Sequence, residues 1–136
     1  MVIEPAAAGH AAERRTDEEL AVIDQLAAAV AASRDGKTAV PLVVEYFAAI
    51  AHASHNQVLL TAQDPLNRLL APTLSRMIDR VPQARARITS AQRRIAAAIR
   101  EQRPAEAAEW MEKHIRDFKR GYELAGIELE YRVSPA

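Results

Sequence analysis

The chain of 136 residues contains no cysteine. That rules out a disulfide framework, a thiolate metal site and a cysteine nucleophile, and it fits a reducing cytoplasm. Aromatic residues amount to 4% and glycines number only 4, a poor supply for the aromatic, turn-rich strands of a β-protein. Charge of one sign is missing as well. The 18 Lys+Arg balance 18 Asp+Glu for a formal net charge of +0, whereas a domain that holds nucleic acid unaided usually concentrates a basic excess on one face. No stretch approaches the roughly 18 uninterrupted apolar residues of a membrane span. The opening "MVIEPAAAGHAAERR" carries acid and proline where a signal peptide needs a basic start and a long apolar run. Glycine-rich phosphate loops, nucleophile elbows and HExxH are absent too, so no enzyme signature is present.

What is present is alanine in abundance and 49% hydrophobic residues, enough for one core in one domain, since domains commonly run to about 100–150 residues. The expectation is a single all-α domain over residues 1–136, an antiparallel bundle of about six helices, cytoplasmic and free of membrane. Residues 3–12 read as a helix without a cap before it. Thr16 and Glu19 form a capping box that opens a second helix through Leu20, Ile23, Leu26, Ala27 and Val30, stopped by "SRDGKT". A third helix is expected from about Val40 to Ala53, with Pro41 in its first turn and a stripe of Val40, Val43, Phe47, Ile50 and Ala51.

Ser54 and Gln57 suggest another capping box, starting a fourth helix at His55 that passes Leu59, Leu66, Leu70, Leu74 and Ile78, with Pro65 and Pro72 kinking or interrupting it. Ile88, Ile95 and Ile99 mark a fifth helix. Pro104 opens a sixth, carrying Ala107, Met111, His114, Ile115, Phe118 and Tyr122, and Gly126 suits its C-terminal cap. The tail "IELEYRV" alternates with a strand period.

Chemistry concentrates in "EYFAAIAHASHN". Positions 44, 48, 52 and 55 fall within one arc of the third helix, and His114 lies in the stripe of the last. Two readings stay open. His52, His55 and His114 meet in one cavity as transition-metal ligands, or each is a polar residue at a helix end or bonded to a backbone carbonyl. The pair Arg93 and Arg94 suits an anion or is simply solvated.

Three segments carry a family resemblance: "IEPAAAGHAAERRTDEEL", "YFAAIAHASHN" and "RRIAAAIREQRPAEAAEWMEKHI". In order and spacing along the whole chain they resemble the FCD domain, the helical effector-binding and dimerisation domain of FadR-type GntR bacterial transcription regulators. Phe47, Ile50, Ala51, Ala53, Ser54 and Asn56 match its phenylalanine-led segment.

The resemblance implies antiparallel helices around a pocket for a small organic acid, with a divalent metal held by one Asp and three His. Those slots fall on Val44, Ala48, Gln92 and His114, of which His114 alone keeps a ligand. No resident cofactor is therefore expected, the alternative being Zn, Ni or Mn in a rearranged site with His52 and His55. The expected effector pocket is lined by Val44, Ala48, Gln92 and His114 and by His52, which shares the face of the vacated slots, with Arg93 as an anion partner. Val and Ala in ligand slots point to a larger or more apolar effector. The family's winged helix is not in this sequence, so the expectation is a homodimeric sensor that does not itself contact nucleic acid and is not an enzyme. The alternative is a stand-alone helical interaction protein without effector or metal.

Overall fold

The structure is a computed structural model and describes residues 3–127, residues 64, 66, 67, 69 and 70 by their backbone alone. Six helices account for the described residues: α1 Ile3–Arg14, α2 Asp17–Ala32, α3 Gly36–Ala53, α4 Gln57–Arg80, α5 Ala84–Arg100 and α6 Pro104–Ala125. The fold is all-α. The expected strand in "IELEYRV" lies, from residue 128 onward, outside the described residues.

Helix α1 runs through the middle of the bundle against α6, α3 and α5. It can do so because its buried face is Ala7, Ala8, Ala11 and Ala12, none more than 1% exposed, and methyl side chains allow close helix approach. Two arginines at its end tie it to its neighbours. Arg14 donates to the Ser54 carbonyl beyond α3, and Arg15 to the Ile99 and Arg100 carbonyls of α5. Both arginines thus meet helix C-termini, where the partial negative charge favours a cation.

Most helix starts follow from local chemistry. The Thr16–Glu19 box forms in both directions, the Glu19 amide donating to Thr16 Oγ1 at 3.1 Å and the Thr16 amide to Glu19 Oε1 at 2.9 Å. The third helix begins earlier than its hydrophobic stripe suggests, at Gly36 and not Val40, because Asp35 Oδ1 accepts from the Thr38 amide at 2.8 Å. Pro41 therefore sits in the second turn. Glycine at 36 is required by packing: its amide donates to Asp79 Oδ1 at 2.9 Å, and a methyl there would run into the Ser75 carbonyl of α4.

The α3–α4 junction also differs from expectation. Ser54 closes α3, its hydroxyl donating to the Ala51 carbonyl, while Asn56 Oδ1 caps α4 by accepting from the Val58 and Leu59 amides. Between them His55 takes a left-handed backbone, φ 54°. Helix α4 then runs uninterrupted through Pro65 and Pro72. Both prolines are exposed and lie seven residues apart on one face, so water can satisfy the carbonyls they leave unbonded. Of the expected stripe, the Leu66 and Leu70 side chains lie outside the described residues, and Leu74 and Ile78 are buried. Pro104 opens α6, and Gly126 ends it with φ 71°, a conformation glycine adopts without steric cost.

Ile23, Ile50, Ile95, Ile99 and Met111 are fully buried, each contributing about 1.5–3 kcal/mol relative to exposure. Exposed ion pairs such as Arg116–Glu112 contribute about 0–1 kcal/mol. The core, not the charged surface, decides the fold.

Candidate functional site

Where α3, α5 and α6 meet, two polar side chains are buried among apolar ones. Gln92 of α5 is 0% exposed and His114 of α6 is 1% exposed. The His114 ring is stacked on Phe47, with centroids 5.7 Å apart and an interplanar angle of 22°, and it touches Phe118 at 4.5 Å. Tyr46, beside Phe47 on α3, donates its hydroxyl to the Gln92 backbone carbonyl at 2.9 Å. One two-residue step of α3 therefore braces both polar residues.

Neither side chain finds a hydrogen-bond partner among the described residues. Gln92 Nε2 and Oε1 and His114 Nδ1 and Nε2 are all buried without a hydrogen bond. Each such atom costs about 1–3 kcal/mol when left unsatisfied. Burial pushes the His114 imidazole down from 6.5 to about 3. At neutral pH the ring is uncharged, with one nitrogen a donor and the other an acceptor. The Gln92 amide is uncharged as well, so both buried side chains offer donors and acceptors without charge.

Val44 and Ala48 lie one turn apart on α3 and are half-buried. His52 lies elsewhere: its side chain is 69% exposed. Arg93, next to Gln92 in sequence, is carried to the outer face of α5 and is exposed. The expected pocket residues thus separate into two buried polar residues, Gln92 and His114, two half-buried residues of α3, Val44 and Ala48, and two exposed ones, His52 and Arg93.

The three histidines do not converge. His55 Nε2 lies 2.8 Å from Glu19 Oε1 and His52 Nε2 lies 3.8 Å from Glu19 Oε2, because α3 ends at Ala53 and the left-handed turn at His55 swings its ring towards α2. Partial burial pushes the Glu19 carboxyl up, but bonds from Thr16 and His55 outweigh it and hold it below the usual carboxylate value. Glu19 thus caps α2 and anchors both histidines, a link that sequence alone conceals because it joins two helices. Tyr46 was legible in principle. Val43, Tyr46, Ile50 and Ala53 follow a 3-4-3 spacing, and all are 0–1% exposed.

Against models of known families, residues 1–117 match the FCD domain. The chain belongs to the FCD domain family. No curated protein matches it. FCD is a regulatory effector-binding domain of GntR-type regulators and not a catalytic family. The four positions that the resemblance sets in metal-ligand slots, Val44, Ala48, Gln92 and His114, hold an isopropyl group, a methyl group, an amide and one imidazole. A divalent ion needs several carboxylate or imidazole donors together. Among the described residues no group of three His, Cys, Asp or Glu is placed to hold one. Among the described residues the donors at these four positions do not fit the metal.

Proposed function

We propose that this FCD domain senses an uncharged or largely apolar effector without a metal, as the ligand-binding and dimerisation part of a cytoplasmic GntR/FadR-type bacterial transcription regulator. The supporting observation is that Gln92 and His114 are fully buried and uncharged, with four polar atoms that no group among the described residues satisfies. An effector bearing a carbonyl, hydroxyl or amide would bond these atoms while its apolar part lies against Phe47, Phe118, Val44 and Ala48. A small hydroxy acid suits the site poorly, since no buried cation or metal would balance its carboxylate.

Such an effector would touch α3, α5 and α6 at once. It would favour the helix packing that holds those partners closest, and its influence on an attached DNA-binding domain equals its differential affinity for the two packings. The chain itself performs no catalysis and contacts no nucleic acid in this reading. The experiment is thermal unfolding against small organic acids, with and without Zn, Ni or Mn, and against acyl amides, esters and alcohols. Stabilisation by the second group in wild type, lost in Q92L and H114L, is the expected result. Stabilisation confined to small acids with added metal would refute the proposal.

A further inference from the structure

Helix α5 reads ARARITSAQRRIAAAIR, with five arginines and no acid, inside a chain whose charges cancel. The imbalance is concentrated in one place. Beside the end of α2, an open groove of about 710 Å³ is floored by two alanines and walled by Arg85, Thr89, Ser90, Arg93 and Arg94. These positions recur every four residues, so they form one stripe along α5 about 14 Å long at 1.5 Å per residue.

Two of the three guanidinium groups are held in place. Arg85 donates to the Ser33 carbonyl at the end of α2. Arg94 lies over the Trp110 ring at 4.5 Å, and Lys113, paired with Glu109, approaches the same ring at 4.6 Å. Asp35 feels the charge of Arg85, but its carboxylate is engaged in capping α3. The groove therefore offers preorganised cations and two hydroxyl donors.

We propose that this groove is a second ligand site, separate from the buried Gln92–His114 pair, which takes the phosphate group of a small phosphorylated molecule. Guanidinium forks bond phosphate oxygens in pairs, and Thr89 and Ser90 supply hydroxyls between them. The short stripe suits one or two phosphate groups in preference to a long polyanion track.

The test is calorimetric titration of the full chain with inorganic pyrophosphate at low salt, with fluorescence of Trp110, the single tryptophan, followed in parallel. Saturable binding is expected, with a change in Trp110 emission as phosphate binds the Arg94 guanidinium that lies over the ring. R93Q and R94Q should each weaken binding by about tenfold or more, the scale of one charge-assisted bond. R116Q, on the exposed face of α6, should bind like wild type. Absence of saturation, or equal binding by R93Q and R116Q, overturns the proposal. So does tighter binding of a 20-base-pair DNA duplex than of pyrophosphate, which would assign the stripe to nucleic acid.

Discussion

Replacing His114 by leucine should lessen the protein's loss of stability between pH 7 and pH 5. The wild-type imidazole is fully buried and held neutral down to about 3, against 6.5 for the free side chain. The unfolded chain therefore binds a proton in this range and the folded chain does not. Stability is fully present above pH 6.5 and is lost as pH falls towards 3. Integrating that difference gives a loss of about 2 kcal/mol on going from pH 7 to pH 5. At pH 7 the variant should be close to wild type, because leucine has a similar volume and removes two buried atoms without partners. Urea unfolding of both proteins at pH 7, 6 and 5 measures it. Other titrating groups are shared, so the difference between the two pH slopes isolates His114. Parallel slopes would show that the ring is protonated inside the fold or reaches solvent, and the neutral core site would have to be abandoned.

Three further outcomes follow from the packing. Tyr46→Phe should cost about 1 kcal/mol, the value of one neutral hydrogen bond, read in urea unfolding, since its hydroxyl bonds the Gln92 carbonyl. Gly36→Ala should destabilise by about 1–3 kcal/mol through overpacking, because the added methyl meets the Ser75 backbone; thermal unfolding would show it. Glu19→Ala should cost about 1 kcal/mol through the lost capping box. Since the Glu19 carboxyl lies below 4.5 in the fold, its contribution is present above that pH and fades below it, so the gap between variant and wild type should narrow in acid denaturation.

Local signals were the legible ones. The Thr16–Glu19 box, the Ile88–Ile95–Ile99 stripe, Pro104 at the opening of α6 and Gly126 at its end each act within one helix, and each appears where the sequence puts it. The start of α3 was obscured because Pro41 drew attention to a first turn, while the real cap, Asp35 with Thr38, precedes the hydrophobic stripe. At the next junction Ser54 and Asn56 are both capping residues. Sequence cannot say which end each serves, and the structure uses one for each helix.

The site divides in the same way. Helical periodicity combined with the family resemblance brought Gln92 and His114 to notice, and both are interior. His52 and Arg93 are at the surface because their orientation depends on where α3 stops and on a rotation of one residue around α5, both set by tertiary packing. The partner of the two outer histidines, Glu19, lies more than thirty residues away along the chain, beyond the reach of any local pattern.

The most direct test of a metal-free, uncharged effector site is the shift in unfolding temperature given by acyl amides and esters in the presence of EDTA, measured on wild type and H114L together. A shift that persists in EDTA for wild type and vanishes in H114L is the predicted result. A shift that appears only after Zn, Ni or Mn is added, or that H114L retains in full, would contradict it.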